Sequence, residues 1–360
     1  MSKQNQKAPT DGKKFLTFGE IMLRLTPPNY EKIRMSNTFE ASYGGSEANI
    51  AMALANLGID STFFSVVPDN SLGKSAIRML RASDVHCSPV ILSTPQETPT
   101  HRMGSYYLET GFGIRPSKVT YDRKHSAITE YDFSQVDLDA LLEGYDWLHL
   151  SGITPALSSS CADFILAALK KAKEKGMTVS FDGNFRSQLW SWQQARDYCT
   201  KCLPYVDVLF GIEPYHLWKD ETDHSQGDWK DGLPMQPDLA EQHEIFERFT
   251  RRYPNLKCIV RHVRYVHSGS ENSLKAYMWL DGKTYESRLF RFGILDRVGG
   301  GDALVGGFVY AAMNEKKTEE CLNFAVASSV IKHTLRGDAN ITDDAASIEN
   351  LMNMNFEIRR

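Results

Sequence analysis

Residues 296–309 read Asp-Arg-Val-Gly-Gly-Gly-Asp-Ala-Leu-Val-Gly-Gly-Phe-Val, three consecutive glycines followed by an acid and then an apolar stretch. Glycine backbones can turn their N–H groups toward a ligand, and a helix starting just beyond them adds partial positive charge at its N-terminus. The segment is a ready anion hole for phosphate. Asp302 falls in the first turn, where its carboxylate can take the proton of a substrate hydroxyl as that oxygen attacks a γ-phosphoryl group. A glycine-rich turn that merely opens a buried helix is the competing reading. Two other phosphate motifs are excluded by the letters: Gly301-x4-Gly306 is followed by Gly307-Phe308 where a P-loop needs Lys-Ser/Thr, and no GxGxxG follows a strand.

Upstream, β-rich runs at 15–25, 62–67, 147–150, 178–181, 206–210 and 258–263 alternate with helical patterns at 46–57, 72–82, 158–175 and 239–252. This alternation predicts βαβ units and a doubly wound, mostly parallel α/β sheet flanked by helices. Runs at 274–280 and 284–292, joined by Asp281-Gly282, predict a hairpin. Helical patterns at 302–313, 318–335 and 343–352 close the chain. Two stretches break the rhythm and predict strands leaving the main sheet, a small β lid formed by segments at about 22–43 and 98–127. Residues 220–237 carry turn formers and charges without periodicity, a surface insertion. With no repeat and no linker, 14–360 reads as a single domain behind a disordered polar tail, 1–13.

Composition narrows the class. Lys and Arg total 41 against 45 Asp and Glu, a formal charge of −4 with no basic block, which argues against nucleic-acid and anionic-membrane surfaces as partners. The apolar runs fall short of the roughly 18–20 residues of a membrane span. The tail lacks the apolar core of a signal peptide, so a cytoplasmic location is expected. Six scattered cysteines suit a reducing compartment. Cys199-Thr-Lys-Cys202 has no companion CxxC, and ordinary burial is the expected fate of both.

Two further constellations carry chemistry. Tyr43-Gly-Gly-Ser-Glu-Ala-Asn49 runs into an apolar helix. Gly44 and Gly45 let a polyol approach the backbone, and Asn49 can bond its hydroxyls; a plain strand–helix turn is the alternative. Phe181-Asp-Gly-Asn-Phe-Arg186 sits at the C-terminal end of a predicted strand, where open α/β sheets bind ligands. There Asn184 and Arg186 can reach a carboxylate or hydroxyl, unless Arg186 merely pairs with Asp182.

These motifs, their order and their spacing resemble the ribokinase-like (PfkB-type) carbohydrate kinases, over about residues 15–340. The resemblance implies a ribokinase-like fold with a small β-sheet lid, ATP as donor, Mg²⁺, Asp302 as catalytic base, and Gly299, Gly300 and Gly301 as the anion hole. Within the family the chain looks most like 2-keto-3-deoxygluconate kinases, through residues 17–28, 43–58, 181–186 and 295–303. That likeness implies a sugar acid as substrate, read by Tyr106, Tyr121, Arg123 and Arg186, with both arginines on the carboxylate. Asp338 matches a further substrate-contacting position, and Arg297 adds positive charge near phosphate or carboxylate. The nucleotide pocket is expected near 258–264 and 323–333. The family's Asn-x-x-Glu motif, tied to Mg²⁺ and phosphate, is replaced: Ile212 and Tyr215 stand at its polar positions and Glu213 alone remains, so metal is expected to be held through nucleotide and water.

The activity implied is phosphorylation of 2-keto-3-deoxygluconate to 2-keto-3-deoxy-6-phosphogluconate. A kinase of a neutral sugar such as fructose is the alternative, and a non-catalytic sugar- or nucleotide-binding protein the third reading. The open edges of a β lid predict a homodimer or larger assembly through the lids.

Overall fold

Strands buried on both faces need helices above and below them, and the alternating apolar runs meet that condition. The computed structural model describes residues 12–212, 215, 237–341 and 344–354. Its strands are β1 (Lys14–Phe18), β2 (Met22–Thr26), β3 (Glu40–Gly44), β4 (Asp60–Phe64), β5 (Val66–Pro68), β6 (Ile91–Ser93), β7 (Ser105–Glu109), β8 (Lys118–Asp122), β9 (Trp147–Ser151), β10 (Thr178–Asp182), β11 (Val208–Phe210), β12 (Cys258–Val266), β13 (Glu271–Leu280), β14 (Lys283–Glu286) and β15 (Phe290–Gly293). The helices are α1 (Ser46–Asn56), α2 (Ser71–Ala82), α3 (Ala127–Glu130), α4 (Leu138–Leu141), α5 (Ser159–Glu174), α6 (Trp192–Cys202), α7 (Leu239–Arg252), α8 (Gly300–Met313), α9 (Thr318–His333) and α10 (Ala345–Met352).

The main sheet runs β14-β13-β12-β11-β10-β9-β1-β4, with β15 also on β13. From β4 to β12 every neighbouring pair is parallel, and β13 turns the sheet antiparallel. A separate four-stranded sheet, β3-β2-β7-β8, is the lid. One face of the main sheet buries Phe18, Phe64, Phe133 and Phe164 in mutual ring contact. The other holds α8 between α1 and α9. Close approach there requires glycine: a Cβ on Gly307 would stand 2.7 Å from the Ser328 Cβ of α9. That contact fixes the axis of α8, and with it the position of Asp302.

Two expectations need correction. The run at 15–25 is not one strand, because the chain leaves the main sheet after Phe18 and enters the lid at Met22. Glu20, in the crossing, finds its partners Arg123 and Ser126 on the lid side. The run at 284–292 also divides, into β14 and β15. At the break the Ser287 hydroxyl accepts the Ala276 N–H at 2.9 Å, taking the place of a backbone partner and interrupting the ladder. All six cysteines are free and buried, Cys199 and Cys202 in α6 among them. Glu213 and nearly all of the tail and of the 220–237 insertion lie outside the described residues. Among the described residues no helix is long and apolar enough to cross a membrane.

Candidate active site

At the C-terminal edge of the parallel strands, beneath the lid, lies a cavity of about 630 Å³. Every site residue expected from the sequence lines it: Gly44, Gly45 and Asn49 around the start of α1, Tyr106, Tyr121 and Arg123 from the lid, Asn184 and Arg186 after β10, Gly299–Gly301 and Asp302 at the start of α8, and Asp338 after α9.

Gly299 caps α8 with φ +80°, a left-handed conformation that suits glycine, and a Cβ there would lie 1.7 Å from the Asp338 carbonyl oxygen. In the first turn that follows, the Asp302 carboxylate accepts from Ser46 Oγ and from Asn49 Nδ2, each at 2.7 Å. Desolvation pushes this carboxyl above the ordinary aspartate range, while the Asn49 and Ser46 bonds pull it back. Asn49, expected to bond a polyol, thus spends its amide on Asp302. Asn184 Nδ2 donates to Ser46 Oγ at 2.9 Å, so α1, α8 and the segment after β10 share one polar network.

The lid is tied to this network by a residue not anticipated from sequence. The alternation Met-Leu-Arg-Leu-Thr invites the leucines into the core, yet Met22, Arg24 and Thr26 are the buried face of β2. Arg24 donates to Asp296 and to Asp338, and Tyr106 Oη donates to the other Asp338 oxygen. Both Asp338 oxygens are therefore occupied from within the protein. Burial, then the Asp338 field, raises the Tyr106 hydroxyl well above its usual range.

Arg123 is also engaged: its Nε lies 2.8 Å from Glu20 Oε2, and Ser126 Oγ donates to Oε1 at 2.6 Å. Its guanidinium caps the Tyr121 ring at 5.6 Å. Arg186 stands differently. It is exposed at the cavity, donates to the Phe185 carbonyl at 3.2 Å, and forms no ion pair with an acid among the described residues. Nearby, β12 contributes His262 and Arg264, and the loop leading into the glycine turn contributes Arg297, whose Nη2 donates to Asn272 at 3.0 Å. Desolvation, then the fields of Arg297 and Arg186, pulls Arg264 down to about 10. Desolvation, then Arg264, Arg261 and Arg186, lowers His262, which is exposed at the same wall. Positive charges that oppose one another leave this wall with a field that favours an anion.

Glu47, unassigned from sequence, sits between these groups in the first turn of α1. It is buried, with Oε1 accepting from Ser151 Oγ at 2.6 Å and Thr154 Oγ1 at 3.1 Å, and burial pushes its carboxyl up to about 7. For a metal the fit is poor: among the described residues no three His, Cys, Asp or Glu side chains gather to hold one, and Ile212 and Tyr215 are fully buried.

An acid in the first turn of a glycine-led helix, facing a cluster of cations under a β lid, defines a phosphotransferase of the ribokinase-like class. Residues 13–214 and 247–345 match the pfkB family carbohydrate kinase, and the chain belongs to that family. It is 33% identical over 330 residues to the 2-dehydro-3-deoxygalactonokinase of Haloferax volcanii, covering 91% of this chain and 94% of the relative. It is 26% identical to the 2-dehydro-3-deoxygluconokinase of Thermoproteus tenax, over 94% and 93% of the two chains. The crystal structure of 2-dehydro-3-deoxygluconokinase from Thermotoga maritima superposes with a TM-score of 0.85 at 35% identity, covering 95% of this chain and 99% of that one.

Proposed function

We propose that this kinase transfers the γ-phosphoryl group of ATP to the terminal hydroxyl of 2-keto-3-deoxygluconate. The observation that carries this reading is the placement of the Asp302 carboxylate, the Gly299–Gly301 turn and the Arg186 guanidinium, which pairs with no acid among the described residues, around one cavity. Asp302, oriented by Ser46 and Asn49, takes the hydroxyl proton as the oxygen attacks. The amides of the glycine turn hold the charge that gathers on the phosphoryl group, and Arg264 and Arg297 hold the rest of the polyphosphate. Arg186 takes the acceptor's carboxylate, with Arg123 and Tyr121 beside it. Mg²⁺ would come with the nucleotide and offset phosphate charge, with no side chain among the described residues assigned to hold it.

A second reading keeps this chemistry and changes one stereocentre. 2-Keto-3-deoxygalactonate is the C4 epimer of the gluconate acceptor, and the relative from Haloferax volcanii is named for it. A neutral acceptor such as fructose would leave Arg186 without a partner, and a purely binding role would leave Asp302 oriented for nothing. ADP release from Mg-ATP with both keto-deoxy acids, gluconate, fructose and ribose separates these readings, with Asp302→Ala as the blank. Turnover greatest on a keto-deoxy acid is expected; turnover on fructose alone overturns the carboxylate site, and silence on every acceptor overturns the enzyme. The lid sheet ends on the open edges of β3 and β8, with Phe39 exposed beside β3, and we extend the proposal to a homodimer joined there. A monomer by light scattering at micromolar concentration would count against it.

A further inference from the structure

Lys332, in the last turn of α9, is fully buried. Its Nζ donates to the Asp296 carbonyl at 3.3 Å, and among the described residues it makes no other hydrogen bond and no ion pair. An ammonium taken from water without a carboxylate against it costs several kcal/mol, and a chain that wanted only packing there would place a methionine or leucine. Burial pulls Lys332 below the ordinary lysine range, while the fields of Asp296, Asp338 and Asp302 favour its charge and Arg24 opposes it.

Its surroundings say where that charge acts. The same turn of α9 carries the anion-hole loop on its back. Ser329 Oγ donates to the Gly300 carbonyl at 2.7 Å, and the His333 carbonyl accepts from the Leu295 and Asp296 N–H groups at 2.8 and 3.2 Å. The His333 ring fills the space beside Gly300, where a Cβ would stand 2.3 Å from its Cε1. Lys332 itself does not line the cavity. It lies behind the loop whose front amides face the phosphate site.

We propose that Lys332 is the interior cation of the anion hole, a positioning residue that grips the 296–301 loop from behind and adds positive field at the amides where phosphoryl charge gathers. The proposal rests on the phosphoryl-transfer reading above. It assigns Lys332 no proton transfer and no contact with either substrate; its effect falls on the chemical step rather than on binding.

The test compares wild type with Lys332→Met and Lys332→Ala. In Lys332→Met, kcat is expected to fall by about tenfold to a hundredfold, with the Kd values of the sugar acid and of ATP staying within about threefold. In Lys332→Ala, added methylammonium chloride is expected to restore part of kcat, and tetramethylammonium chloride, too large for the vacated space, is expected to restore none. A Lys332→Met enzyme with unchanged kcat, binding that falls in step with kcat, or equal effects of the two salts overturns the proposal. Should both variants fail to fold, NMR of ¹⁵N-lysine-labelled wild type reads the Nζ directly at pH 7.5. A protonated ammonium sustains the proposal and a neutral amine ends it. Wild-type turnover separates the two readings: silence there removes the kinase and this proposal with it, whereas an active wild type beside an equally active Lys332→Met removes the proposal alone.

Discussion

Glu20 and Arg123 form a buried ion pair on the cavity wall, 103 positions apart in the chain. The charge of Arg123 is therefore already answered, and that of Arg186 is answered by no acid among the described residues. Replacing each by methionine should give different phenotypes. Arg186→Met should keep its melting temperature and raise KM for the sugar acid by roughly tenfold to a hundredfold, the loss of one charge-assisted bidentate contact. Arg123→Met strands a buried carboxylate, which typically costs about 3–5 kcal/mol, so its melting temperature should drop as well. Thermal melts and steady-state kinetics on both variants check this, and equal melting temperatures would contradict it.

Asp302→Asn keeps the shape of the side chain and removes its basicity. The new amide must also face the Asn49 donor that the carboxylate accepted at 2.7 Å. We expect kcat to fall by about 10²–10⁴-fold, with sugar-acid binding by calorimetry largely retained. A kcat within tenfold of wild type would show that the proton goes elsewhere. Because burial holds the Asp302 carboxyl above its ordinary range, activity should fall with decreasing pH earlier than a solvent-exposed aspartate would dictate.

Glu47 gives a stability prediction with a definite sign. Its folded carboxyl is raised from 4.5 to about 7, so the folded protein binds this proton more tightly than the unfolded chain does. The stability it confers is complete below pH 4.5 and is lost as pH rises through 7. At 1.36 kcal/mol per unit the loss amounts to roughly 3 kcal/mol. Glu47→Gln, which can still accept from Ser151 and Thr154, should gain on wild type between pH 5 and pH 8 in urea titrations. Parallel stabilities at the two pH values would refute the assignment.

Gly299→Ala tests the loop itself. A side chain at φ +80° is strained by about 1–2 kcal/mol, and the Cβ would drive into the Asp338 carbonyl. Moving Asp338 loosens both Arg24 and Tyr106. The variant should melt at least a few degrees lower and lose most of its kcat; full activity would mean that the loop tolerates a different path.

What could be read from the linear chain was what is local in it. A glycine run, an acid and an apolar helix occupy neighbouring positions, so Asp302 and its turn were visible before any fold was known. Alternating runs likewise disclosed the parallel sheet, and the stretches that break their rhythm disclosed its lid. Compensation between distant charges left no such trace. Nothing near Arg123 announces Glu20, nothing near Asn49 announces that its amide belongs to Asp302, and Lys332 reads as one more polar residue on a helix. Arg24 was hidden by its own neighbours, because a strand buries alternate residues and the leucines beside it looked the better candidates.

The latch made by Arg24 also has a history within each molecule. Its partners Asp296 and Asp338 lie 272 and 314 positions further along the chain. During synthesis the arginine emerges early and waits for almost the whole protein to be made before either carboxylate exists to receive it. Until then the lid strand carries an unanswered charge on the face it will later bury, and that face stays in water. Assembly of the catalytic pocket therefore requires segments from both ends of the chain to be present together.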